Sequence, residues 1–172
     1  MILWLNEKMN GDDEGFTLIE LMVVVLSIAI LIAIAIPTFL GARRRAQDRQ
    51  AQSNLRNGLT AEKTYYADAQ IYTTVTADLS SIESNLAWGT EDAAARGVIV
   101  QAVGGTPSGQ LVVLRSWSKS GTMFCIADVA QDLTATTAGV PTGAGTYYAK
   151  VASAATGATC TGGWGTTTAA WS

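Results

Sequence analysis

Histidine is absent from these 172 residues. Its absence removes the commonest general base, the commonest metal ligand and every Ser-His or Cys-His arrangement. Cysteine is scarce: Cys125 and Cys160 stand far apart, with no CxxC and no zinc-like spacing. No GxSxG occurs, and the glycine-rich stretch Gly104-Gly105-Thr106-Pro107-Ser108-Gly109 lacks the GK[ST] ending of a phosphate loop, so it reads as a turn. Asp68, Asp78 and Asp92 are isolated carboxylates that form no acid–base or metal-binding pattern. The chain is therefore expected to be no enzyme, with no cofactor and no metal site.

Charge is also sparse, at 15% of residues, and unevenly placed. Glu7, Asp12, Asp13 and Glu14 against Lys8 account for the whole net charge of −3, leaving ten acids and ten bases that cancel in the rest of the chain. A neutral body argues against nucleic acid as the main partner, because phosphate binding draws on clustered Lys and Arg. Arg43, Arg44, Arg45 and Arg49 do cluster, and they read most simply as a solvated helix face.

What the chain has in abundance is one long apolar run. Residues 16–36 (FTLIELMVVVLSIAILIAIAI) carry Glu20 as their only charge. As a helix they would span ~30 Å, enough to cross a bilayer core. From Pro37 to about Ala69 the pattern turns amphipathic: Ala51, Leu55, Leu59 and Tyr66 fall on one helical stripe. Arg44 and Asp48 have i,i+4 spacing, and Gly58 weakens the helix by ~1 kcal/mol. Unbroken from Phe16 to Ala69, such a helix would be ~80 Å long and would need neighbours to cover it.

Residues 70–172 read as short strands separated by turns. VIVQAV (98–103), QLVVLRSWS (110–118), TMFCIADV (122–129) and TYYAKV (146–151) are rich in β-branched and aromatic residues, with glycine-containing punctuation between them. An antiparallel meander fits these connections. Trp88, Trp117, Trp164 and Trp171 suit core or rim packing better than a ligand platform. Residues 134–172 are rich in Thr, Gly and Ala with Lys150 as their only charge, a composition open to disorder. Cys160 argues for order, because one disulfide to Cys125 would close a loop of about 36 residues in an oxidising compartment. The expected class is α+β, a long N-terminal helix packed on a small antiparallel sheet.

The junction Gly15-Phe16-Thr17-Leu18-Ile19-Glu20 carries the most information. A secretory signal is cut after its apolar run, as Ala33-Ile34-Ala35 would allow; here a glycine behind acidic residues stands before the run. Cutting there would leave the helix on the mature protein. A lone acid in a lipid-length segment is by default functional, with a partner to be found.

Gly15-Phe16-Thr17-Leu18-Ile19-Glu20-Leu21, the apolar run and Pro37 resemble the type IV prepilin signature. SNLRNGLTAEKTYYAD (53–68) is similar to pilins of actinobacterial type. The resemblance implies a leader over residues 1–15, an N-terminal helix over 16–69 whose first part (16–36) spans the membrane and drives assembly, and a strand-rich globular domain over 70–172. It implies cleavage between Gly15 and Phe16 by a prepilin peptidase, N-methylation of Phe16, and an assembly salt bridge through Glu20. An assembly ATPase and a platform membrane protein would be partners, together with further copies of the chain.

Two features depart from the family's pattern. Ala29 stands where many members have glycine, so loosening of the helix in the filament would rest on a break at Pro37. The leader is acidic, and by charge bias alone the arginines would hold the following domain in the cytoplasm. The junction and the cysteines point the other way: a single-pass precursor in the cytoplasmic membrane, N-terminus inside, destined for an extracellular pilus filament. The function implied is a structural filament subunit; the alternatives are a minor pilin or pseudopilin of a secretion or DNA-uptake system, and an anchored binding module. Adhesion and motility are uses that such filaments serve.

Overall fold

A computed structural model describes residues 15–89, 97–136, 139–152, 158–167 and 171. The chain forms two compact units, Met1–Ala42 and Arg43–Ser172, and the helix α1 (Leu18–Ala69) contributes to both.

In the described part of the first unit, every side chain from Phe16 to Leu40 is exposed. A helix apolar on all sides has no internal core to pack on and calls for lipid or neighbouring chains. It is the one helix among the described residues long and apolar enough to cross a membrane. In lipid such a segment must satisfy its own backbone, which a helix does. Its hydroxyls follow suit: Ser27 Oγ donates to the Val23 carbonyl at 2.7 Å and Thr38 Oγ1 to that of Ile34 at 3.2 Å.

The second unit is a five-stranded sheet with α1 on one face. The strands β1 (Ala87–Trp88), β2 (Gly97–Gly104), β3 (Leu111–Trp117), β4 (Met123–Val129) and β5 (Gly145–Val151) lie in sequence order. The expected meander is present in β2 to β5, all antiparallel, while β1 pairs parallel with Gly97 and Val98. A second helix, α2 (Thr76–Ile82), precedes β1 and buries Leu79. Neither α2 nor β1 is expected from the periodicity, since each is too short to repeat a pattern.

β3 and β4 lack hydrophobic-polar alternation because both faces of the sheet are covered. On one face Val112, Leu114, Phe124 and Ile126 pack with Ala51, Leu55 and Leu59 of α1. On the other, Leu111, Val113, Met123, Cys125 and Ala127 pack with Leu133, Val140, Cys160 and the half-buried Trp164. Described residues flanking β5 in sequence, Val140 and Cys160 among them, thus cover this second face. Gly165 bridges Tyr148 of β5, and Trp171 lies among the helix-side residues. There Trp171 donates to the Cys125 carbonyl at 2.9 Å, and its ring meets those of Phe124 and Tyr148 edge-on.

Gly58 does not interrupt α1; it lets the helix approach the sheet. A Cβ on Gly58 would come within 3.1 Å of Val98 Cγ1 and 3.5 Å of both Leu114 and Trp88. The propensity lost there is offset by close packing. The Arg44–Asp48 pair expected from i,i+4 spacing is not what the structure records: Asp48 accepts from Ser120 Oγ, at the β3–β4 turn, at 2.5 Å. A short neutral donor held by a turn displaces an exposed ion pair that would gain only a few tenths of a kcal/mol.

Cys125 and Cys160 form a disulfide across 35 positions of sequence. Two side chains, the half-buried Gln101 and the buried Arg115, add to it. At the β2 irregularity between Val100 and Ala102, the Gln101 side chain accepts from the Cys160 N–H at 2.7 Å and donates to its carbonyl at 3.2 Å. Arg115 donates to the Ala158 carbonyl at 2.6 Å. Replacing both cysteines by alanine should therefore lower the unfolding free energy by ~3–4 kcal/mol, the loop-closure value. Gln101 and Arg115 should keep the segment docked. Urea denaturation of the detergent-extracted chain measures the first, and protease resistance of residues 158–167 under native conditions the second.

Candidate functional site

The candidate site lies at the start of α1. Thr17 immediately precedes the helix and Glu20 is in its first turn. Glu20 Oε2 accepts from the Thr17 N–H at 2.9 Å and from Thr17 Oγ1 at 2.7 Å, while the Glu20 N–H donates back to Thr17 Oγ1 at 3.3 Å. This reciprocal arrangement is a capping box, with the carboxylate at the positive end of the helix dipole. The partner sought for Glu20 is, in the single chain, Thr17. The signal was present as Thr17-x-x-Glu20 ahead of an apolar run. Gly15 and Phe16 precede the helix and are exposed. The other residues assigned to the leader lie outside the described residues.

Pro37 is inside α1, which continues through it to Ala69. Proline has no N–H to give the Ala33 carbonyl, so the ladder lacks one bond at that point while the helix persists. Cys125 and Cys160 are far from the junction in sequence and form the disulfide described above.

A second polar cluster, unforeseen from the sequence, lies where α1 ends. Asp128 on β4 is buried; it accepts from Tyr72 Oη and Thr146 Oγ1, each at 2.5 Å, and pairs with Lys63 Nζ at 2.9 Å. Beside it Glu62 is 0% exposed. Its Oε2 accepts from the Thr73 N–H at 3.3 Å, and its Oε1 has no partner. Burial pushes the Glu62 carboxyl up to about 7, against the opposing pull of the Thr73 N–H. Burial and the Asp128 hydrogen bond push the Tyr72 phenol above its ordinary range. Among the described residues no group of three His, Cys, Asp or Glu side chains could hold a metal ion.

A long N-terminal helix, apolar and exposed in its first part, and a small disulfide-closed sheet define an α+β fold. No protein-family model matches the chain. It is 43% identical over 65 residues to the type IV major pilin protein PilA of Myxococcus xanthus, a match covering 38% of this chain and 30% of that one. It is 41% identical over 71 residues to the type IV wide pilus major component PilA4 of Thermus thermophilus, covering 41% of this chain and 54% of that one. The matches thus span less than two thirds of either relative. Within that extent they bear out the resemblance to type IV pilins, and the long helix on a mostly antiparallel sheet agrees with it.

Proposed function

We propose that this chain is the structural subunit of a type IV pilus-like extracellular filament. The observation that carries the reading is a helix start with one capped carboxylate, followed by an apolar segment exposed on every side, in a chain similar to two named major pilins. The precursor sits in the cytoplasmic membrane with its N-terminus inside. A prepilin peptidase cuts after Gly15, and Phe16 is N-methylated. An assembly ATPase and a platform membrane protein move the freed subunit from lipid into the fibre. Lipid is already apolar, so helix packing and polar pairing decide the transfer. Pro37 gives the helix a point at which it can loosen once packed. Sheet domains then coat the outside.

The test is mass spectrometry of sheared surface filaments. The dominant subunit should be this chain, beginning at methylated Phe16, and replacing Gly15 by a bulky residue should leave uncut precursor in the membrane. A mature chain beginning at Ile36 would establish a secretory signal instead. A trace amount among filaments of another protein would establish a minor pilin.

A further inference from the structure

In the second unit, the two flanks of the exposed face of α1 differ in chemistry. On the flank towards β4 and Trp171, Arg45, Arg49, Arg56 and Lys63 recur at spacings of four, seven and seven, one stripe of a helix. The later half of the stripe is engaged within the chain: Arg56 lies over the Trp171 ring at 5.2 Å and Lys63 pairs with Asp128. Arg45 and Arg49 are exposed, and the ion pair recorded among the described residues involves neither. The neighbouring acid, Asp48, is taken by Ser120.

The other flank faces α2. There Asn57, Thr60, Ala61 and Thr64 meet Ile82 and Glu83 around a cleft of 170 Å³. That is below the ~300–1,000 Å³ of small-molecule pockets, so it suits one side chain. Thr60 and Thr64 donate their hydroxyl protons to carbonyls of their own helix, at 3.0 and 2.9 Å, which leaves their oxygens as acceptors. The Glu83 carboxylate accepts from the Asn85 N–H at 3.1 Å and has further lone pairs to give. A cleft supplying mostly acceptors and one negative charge fits a guanidinium, which carries five donors and no acceptor.

We propose that in the filament Arg49 of one copy enters the cleft at Asn57 and Glu83 of the next, a contact that rests on the filament reading above. Donor and cleft occupy different flanks of one helix, so each copy gives one arginine and receives another. Such a heterologous contact builds an open fibre when the rotation between copies does not close a ring. Its effect is on register: a slipped neighbour leaves Arg49 opposite a neutral surface and Glu83 without its cation.

The test is charge reversal in the full-length chain. Arg49→Glu and Glu83→Arg should each lower the yield of sheared filaments by about tenfold or more, with mature subunit still present in the membrane, and the double reversal should restore it to within about threefold. Separately, Arg49→Cys with Glu83→Cys should give a ladder of covalent multimers from sheared filaments on non-reducing gels, where each single cysteine gives none. A ladder supports the contact even where the reversed pair fails to assemble. Wild-type yield from either reversal, or no ladder from the cysteine pair, overturns it. If the wild-type chain itself yields no filaments, the filament reading falls first; defects confined to the reversal variants leave that reading standing.

Discussion

Replacing Glu20 by alanine is expected to abolish filaments while leaving the chain inserted in the membrane and cleaved. Cleavage after Gly15 would create an amine at Phe16, about one helical turn from the Glu20 carboxylate. Either charge alone in an apolar bundle costs several kcal/mol. A subunit arriving in register would set its amine against a carboxylate already in the fibre and cancel both penalties; a slipped one would cancel neither. The Thr17 cap sharpens the test, because Thr17 already supplies Glu20 Oε2 with two donors in the single chain. Glu20→Gln keeps an acceptor for those donors and loses only the charge. If pairing with the amine matters, Gln should fail like Ala, and Glu20→Asp should be intermediate through its shorter reach. If capping matters, Gln should assemble normally. Membrane insertion of Glu20→Ala should match or exceed that of the parent, since an acid in an apolar span is disfavoured by up to ~2.5–3.5 kcal/mol near mid-helix and less at its end. Normal filament yield from Glu20→Ala, with no wild-type copies present, would leave Glu20 as a tolerated interfacial acid.

The sheet domain is expected to lose stability as pH rises from about 4.5 to about 7, owing to Glu62. Burial holds the folded carboxyl protonated up to about 7, whereas the free side chain titrates at 4.5. Between those values the unfolded chain has released the proton and the folded one retains it, so unfolding becomes easier as pH rises. Above about 7 both states are ionised and the contribution levels off. A gap of this size corresponds to ~3–4 kcal/mol at most. The neighbouring Tyr72 phenol is held neutral well above this window. Glu62→Gln keeps an oxygen for the Thr73 N–H and cannot ionise. Its unfolding midpoint in urea should exceed that of the parent at pH 8 and lie at or below it at pH 5. A parent-like pH slope in Glu62→Gln would place the effect elsewhere.

How much of this was legible in the sequence depended on whether a residue acts through a local pattern or through a distant partner. The β2 to β5 strands stand out because Val, Ile and aromatic residues run between glycine-marked turns. Ala51, Leu55 and Leu59 repeat at helical spacing and are buried as expected. Glu62 and Asn54 break that pattern, because they are polar yet buried on the same face. What draws Glu62 inward is Thr73, which no helical period relates to it. Residues 134–172 are open to disorder by composition because they are small; the described ones that pack, Val140 and Cys160 among them, do so on a sheet face that needed covering and through a cysteine that could reach it. At the candidate site the apolar run and the junction are evident in the sequence, and the three-residue spacing of Thr17 from Glu20 announces the capping box between them.

Each margin of the sheet is blunted over part of its length. On one side β1 is two residues long; on the other, the backbone of Tyr148 in β5 is already bonded in both directions to Gly165, at 2.7 and 2.9 Å. Free strand edges are templates for amyloid-like addition, and protein coats that hold many copies of one domain at close quarters expose them to that hazard. A domain with shortened and occupied margins can be crowded along a fibre while its sheets stay separate. The contact proposed above, between Arg49 and the cleft at Asn57 and Glu83, draws on side chains alone and leaves those margins untouched.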